Sequence, residues 1–260
     1  MNIVVCLKQV PGTTEVRIDP RTNTLVREGI KNITNPFDSY ALEEGVRLKE
    51  RYGGKVVALS MGPPQAEEML REALSTGADE AVLLSDGAFA GADTLATSYT
   101  LAQAIKKLGG VDLVICGRQT LDGDTGQVGP ELAEVLGLPF VAYVSRIEEI
   151  GERMRVLRMV EEGHEIIETP LPAVITVVKE INVPRLPSLR GLAKAKSANI
   201  PVWTAELLGV DKAKVGLSGS ATKVVKIFSP ARAKKGEILK GRVEEQVESL
   251  LSKLRSLGIV

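Results

Sequence analysis

Four apolar, β-rich runs recur along the first part of the chain: "NIVVCLKQV" from Asn2, "KVVALSMG" from Lys55, "EAVLLSD" from Glu80 and "VDLVICG" from Val111. A strand with one face in water alternates apolar and polar side chains. These runs are too continuously apolar for that and predict strands covered on both faces, as in a mostly parallel sheet. The stretches between them supply the covering helices. "NPFDSYALEEGVRLKERYGG" offers Asn35 as a cap, Pro36 in the first turn and a Gly pair as its stop, and "PPQAEEMLREALSTG" and "DTLATSYTLAQAIKKLGG" also end in glycine. The expected fold class is α/β, a doubly wound, Rossmann-like, mostly parallel sheet.

Three departures from the alternation are visible. "TEVRIDPRTNTLVREG" reads as two short strands around the turn "PRTN", a hairpin projecting between the first strand and the first helix. After "FVAYVSRIEEI" the chain passes to "ERMRVLRMVEEGHEIIETP" and "AVITVVKEI" through short turns, which predicts an antiparallel extension of the sheet. "VPRLPSLRGLAKAKSANIP" follows, with no strand alternation. We expect residues 1–200 to form the α/β domain with its extension, and residues 201–260 to form a C-terminal arm. The arm ends in an amphipathic helix with Leu239, Val243, Val247, Leu250, Leu251 and Leu254 on one stripe, a face suited to packing on a partner or on its own domain.

Composition narrows the function. The 260 residues carry 33 Lys and Arg against 33 Asp and Glu, so no overall charge favours nucleic acid or a membrane surface. The start lacks the features of a secretory signal, and no run approaches ~18 apolar residues, so a soluble, cytoplasmic protein is expected. Cys6 and Cys116, at the ends of two apolar runs, read as reduced small hydrophobes. His164 has no base or nucleophile partner in the pattern, and no triad or metal-ligand set appears. Any redox or group-transfer chemistry then falls to a cofactor.

In open α/β sheets ligands bind outside the carboxyl ends of the strands, near a switch in strand order. The richest candidate there is "CGRQTLDGDTGQVGP", Cys116 to Pro130, where a strand ends in a glycine-rich acidic loop that opens a helix. It is neither a Walker A loop nor the G-x-G-x-x-G fingerprint. A calcium loop fails because Gly126 stands where a third oxygen ligand is needed after Asp122 and Asp124. Taken alone, the loop is equally well read as a turn and a helix cap.

Five segments resemble one family, the beta subunit of electron transfer flavoproteins: "CLKQVPG", "NPFDSYALEEGVRLKE", "SMGPPQAEEMLREALSTGAD", "CGRQTLDGDTGQVGP" and "LPAVITVVKEINVPRLPSLRGLAKAK". They occur in family order across most of residues 1–200. The resemblance implies an adenine-nucleotide-binding domain paired with an alpha subunit in a heterodimer that shuttles electrons between flavin dehydrogenases and other acceptors. One branch of the family holds AMP as a structural ligand in this subunit. In the electron-bifurcating branch a second FAD replaces the AMP and receives a hydride from NADH. "GADTLATSYTLAQAI" and "DGDTGQVGP" look like the bifurcating branch, which favours FAD, with AMP as the alternative.

Carried over onto this sequence, the implied cofactor contacts are Cys6, Asn35, Pro36, Phe37, Asp38, Met61, Asp93, Thr94 and Thr97. The segment Gly117, Arg118, Gln119, Thr120, Leu121, Asp122, Gly123, Asp124, Thr125, Gly126, Gln127 and Val128 completes them. The basic stretch at 181–196 resembles the family's recognition loop, with Leu189 at the position that anchors in a partner dehydrogenase and Leu186, Arg190 and Leu192 beside it. A leucine ringed by Arg185, Arg190, Lys194 and Lys196 suits a steered docking contact. A stress-type nucleotide-binding module without redox role shares the same domain and stays open. An ATP-pyrophosphatase-type ligase needs a Ser-Gly-Gly-x-Asp-Ser loop after the first strand, where this chain has "KQVPGTT".

Overall fold

The computed structural model describes residues 1–12, 32–225 and 236–260. The expected apolar runs form strands β1 (Asn2–Cys6), β4 (Lys55–Met61), β5 (Glu80–Leu84) and β6 (Leu113–Gly117), with β2 (Gln9–Pro11) and β3 (Asn32–Thr34) after the first of them. Between them run α1 (Pro36–Tyr52), α2 (Glu67–Thr76) and α3 (Thr94–Leu108), and α4 (Val128–Leu136) follows β6. β2 and β3 pair antiparallel as a small separate sheet. The hairpin expected at 14–29 lies outside the described residues.

The main sheet then gains β7 (Phe140–Ile150), β8 (Arg153–Val160), β9 (Gly163–Pro170), β10 (Ala173–Val177) and the two-residue β11 (Val202–Trp203), in the order β11-β5-β4-β1-β6-β10-β7-β8-β9. β11 through β7 run parallel, and β7, β8 and β9 are antiparallel. One expectation changes here: β10 does not extend the antiparallel end but inserts between β6 and β7, parallel to both. All five of its residues are buried, which a strand at the end of a hairpin series does not need. β8 and β9 instead carry Arg153, Arg155, Glu165 and Glu168 on their exposed positions.

The continuous apolar runs are explained by two cores, one on each face. Ile3, Val5, Ile115 and Ile175 pack with Val46 of α1 and Leu70 of α2 on one side; Val4, Val114 and Val174 pack with Leu101 of α3 and Leu132 of α4 on the other. Period-two alternation therefore sends apolar side chains both ways, so both faces are dry.

Downstream of β10, α5 (Leu189–Ser197) packs on α2, with Ser188 Oγ accepting from Gly191 N at 2.9 Å as its cap. The chain then returns along the β5 edge. α6 (Ala205–Leu208) is tied down by Asp86 Oδ2 accepting from Ala205 N at 3.0 Å, and α7 (Gly216–Gly219) packs against α3. The last helix, α8 (Val243–Ser256), has no buried residue, and Val243, Val247, Leu250 and Leu251 of its apolar stripe are exposed. No described helix is long and apolar enough to cross a membrane.

Candidate functional site

β1 lies between β4 and β6, and the chain winds outward in one direction through β4 and β5 before crossing back to β6. The strand order thus reverses between β1 and β6, and a crevice opens beyond their carboxyl ends. The loop after β1 begins at Leu7, the loop after β6 at Arg118, and the start of α1 stands between them.

Gly117 ends β6 where α1 comes closest. A Cβ at this position would lie 2.3 Å from Asp38 Oδ1 and 2.7 Å from the Phe37 carbonyl carbon, so only glycine lets the two elements approach. The loop then turns at Asp124 (φ 52°) and Gly126 (φ 64°), both left-handed, with Asp124 N donating to Thr120 O at 2.9 Å. Residues from Leu121 to Thr125 are exposed. α4 begins at Val128, and its N-cap residue Gln127 makes no side-chain capping bond. The amides of Val128 and Gly129 therefore have no intrahelical partner and no cap from Gln127, Pro130 has no N–H to offer, and the helix start carries the positive end of the dipole.

The acidic residues of the loop are held within the protein. Lys8 Nζ donates to both oxygens of Asp122 at 2.8 Å, bridging the loops after β1 and β6. Burial alone would raise the Asp122 pKa, but the Lys8 ammonium and the Thr120 hydroxyl outweigh it and hold the carboxyl below its ordinary value. Asp124 Oδ1 accepts from Gln119 Nε2. Arg118 is exposed, donates its N–H to Val177 O at 3.0 Å, and sets its guanidinium 5.2 Å from the Tyr143 ring centre. Tyr143 reaches that position because β7 bulges there: its φ is 59°, and its N–H donates to Thr176 Oγ1 at 3.1 Å. A cation over an aromatic face at a strand end is a fixed positive charge.

Beneath the loops, Cys6 and Cys116 are register neighbours on β1 and β6, both buried. The hydrogen bond with Cys6 and burial push the Cys116 thiol well above its ordinary value, so it stays protonated. Met61 ends β4 on the other side of β1 and is half-buried against the α3-side core.

The expected residues separate into two groups. Cys6, Asn35 to Asp38, and Gly117 to Val128 meet around the crevice, and Thr94 joins them, its hydroxyl donating to Glu131 Oε1 of α4 at 3.0 Å. Asp93 does not turn its carboxylate to the loop. Asp93 caps α3, Oδ1 accepting from Ala96 N at 3.0 Å, while Oδ2 accepts from Thr222 N and Oγ1 at 2.9 and 3.1 Å. Thr97 N donates to the Asp93 carbonyl. Asn35, expected as a side-chain cap, makes no such bond. Sequence reasoning missed Lys8, Glu131 and Tyr143 as neighbours of the site; only Lys8, directly after the first strand, carried a signal.

At the basic segment Leu186 and Leu189 are 87% and 88% exposed, Leu192 half so, and Arg190 is also exposed. Arg185 is not part of a free cationic ring. It donates to Glu43 and Glu50 of α1 at 2.6–3.1 Å, which holds the Glu50 carboxyl below its usual range, and Asn182 donates to Tyr40 O and Glu44 Oε2 at 3.0 Å. These bonds fasten the segment that precedes the exposed leucines.

Comparison with known proteins identifies the family. Residues 22–208 match the family model described as the electron transfer flavoprotein domain. The electron transfer flavoprotein subunit beta of Thermoanaerobacterium thermosaccharolyticum is 52% identical over 261 aligned positions, covering all of both chains. The chain belongs to the electron transfer flavoprotein beta-subunit family. Within this family it is also similar to the caffeyl-CoA reductase-Etf complex subunit CarD of Acetobacterium woodii, 49% identical over all of both chains. Protein FixA of Azorhizobium caulinodans is 43% identical, over 98% of this chain and 94% of that one.

Proposed function

We propose that this chain is the FAD-binding beta subunit of a cytoplasmic heterodimer with an alpha subunit, taking electrons from NADH or a dehydrogenase and dividing them between acceptors by flavin-based bifurcation. The observation that carries the reading is the uncapped start of α4 beneath an exposed glycine loop at the strand-order switch. The fit to a phosphate-bearing nucleotide is good, because the nearby Asp122 and Asp124 are already engaged by Lys8 and Gln119. Bound flavin supplies the hydride and single-electron chemistry that no side chain here provides.

The protein's own residues have separate tasks in this reading. The α4 amides and the hydroxyls of Thr120 and Thr125 offer neutral donors to the phosphates. Gly123 and Gly126 leave backbone, rather than side chains, against the ligand. Arg118, steadied by Tyr143, would offer a positive charge to an anionic reduced flavin or to the partner subunit. Leu189, with Leu186 and Leu192, docks on a partner dehydrogenase. FAD is preferred to AMP on the family resemblance and on the similarity to a subunit named for a caffeyl-CoA reductase complex.

The test is to denature the purified heterodimer and identify the released nucleotides by mass and absorbance. About two FAD per pair, with bleaching by NADH, is the expected result. One flavin plus AMP sinks bifurcation and leaves the family assignment intact. A colourless heterodimer holding only ATP or AMP favours the stress-type module.

A further inference from the structure

The side chains of Asn35 and Asp38, two of the implied cofactor contacts, bond to each other and to the loops on either side of them. Asn35 is fully buried and spends both amide hydrogens inside the protein, donating to Asp38 Oδ1 at 2.9 Å and to Gln119 O at 2.8 Å. Its Oδ1 accepts from Leu121 N at 3.2 Å. Asp38, also buried, uses its second oxygen to accept from Lys8 N at 2.7 Å. One pair at the start of α1 thus grips the loop after β1 at one point and the loop after β6 at two. The exposed Lys8–Asp122 bridge joins the same two loops above it. A side chain at Gly117 would break into this junction.

We propose that Asn35 and Asp38 are positioning residues: they lock the two loops that flank the strand-order switch at a fixed separation and so set the grip on the nucleotide. This rests on the nucleotide reading of the crevice. The bonding pattern admits no simple replacement. Both Asp38 oxygens face N–H donors, so Asp38→Asn sets an NH2 against Lys8 N or Asn35 Nδ2. Flipping Asn35 to relieve the second clash turns its NH2 toward Leu121 N. Protonation of Asp38 has the same consequence, since one oxygen then loses an acceptor site. Burial pushes its pKa up to about 7 against the opposing bonds from Asn35 and Lys8. The titratable groups acting with it are the Cys116 thiol from β6, itself hydrogen-bonded with the Cys6 thiol of β1, and, beyond the Lys8 backbone, the Lys8 ammonium already engaged by Asp122.

The experiment uses the intact heterodimer, with dissociation rates of FAD and of AMP measured separately between about pH 6 and about pH 8. The wild type should release its nucleotide roughly tenfold faster at the acid end, with the change centred near 7. Asp38→Asn should release it fast across the range with no pH inflection, and Asn35→Ala should be fast at every pH while keeping a cooperative thermal transition. The pH profile of the wild type needs no variant to fold. A wild type that binds neither probe removes the nucleotide reading, and this inference with it. A wild type that binds one probe with a flat profile, or folded variants within about twofold of it, overturns the inference alone.

Discussion

The starts of α3 and α4 pack side by side at the same edge of the sheet, and only one of them is open. α3 is closed by Asp93, whose carboxylate caps the helix and clasps Thr222 of the returning chain. α4 has a glutamine at the capping position that makes no bond, and the loop before it is exposed. Both helices follow strands of the same parallel sheet, so topology does not separate them. One carboxylate in the right rotamer does: it turns a helix start with free amides into an anchor for the tail.

The comparison can be broken from the open side first. Gly117→Ala should destabilise the chain by ~1–3 kcal/mol, because its Cβ would sit 2.3 Å from Asp38 Oδ1, and urea unfolding reads the loss. The same variant should hold nucleotide at least ~10-fold more weakly, measured by equilibrium dialysis of FAD and AMP.

Closing α4 is the sharper test. Gln127→Asp supplies the cap it lacks and should add ~0.5–1 kcal/mol of stability while weakening nucleotide binding by roughly fivefold, since a carboxylate then competes for the amides. Tighter binding in that variant would mean the phosphates lie elsewhere.

Opening α3 should cost stability alone. Asp93→Ala loses a cap, ~1 kcal/mol, and frees Thr222, so limited proteolysis near residue 222 should speed up while nucleotide affinity stays within about twofold.

The pH dependence should carry slopes of opposite sign. Asp38 has a folded-state pKa near 7 against an ordinary 3.8, so the stability it leaves intact at low pH is lost as pH rises through about 7. For Asp93, burial acts to raise the pKa, but bonds from Ala96 and Thr222 outweigh it and leave the group below its ordinary value. Its contribution is present above that ordinary value and is lost as pH falls through the depressed one. Unfolding midpoints across pH for Asp38→Asn and Asp93→Asn should each flatten one slope.

The fold was largely legible because hydrophobic patterning is local: β1, β4, β5 and β6 announce both-sided burial in a few residues each. β10 was misplaced because adjacency in sequence to β8 and β9 suggested a third hairpin strand, although its unbroken apolar run already matched the central strands. The segments around the crevice were legible through the family resemblance, whereas the bonding of individual side chains was not. Asn35 looks like a cap in sequence, and only the return of residues 119–121 makes it a bridge. Arg185 looks like a free docking cation until Glu43 and Glu50, far upstream, fold against it.

The insertion of β10 between β6 and β7 also sets the order in which the protein matures on the ribosome. At ~5–20 residues per second, β6 emerges and then waits on the order of several seconds, one edge unpaired, before Ala173 to Val177 arrive to fill it. β7, β8 and β9 are made in the meantime, ahead of the strand that lies between them and β6. The floor beneath Arg118, whose amide rests on Val177, is among the last parts of the sheet to be laid. Synonymous changes that slow translation across residues 118–172 should therefore lower the yield of nucleotide-binding protein more than the same slowing within residues 55–117.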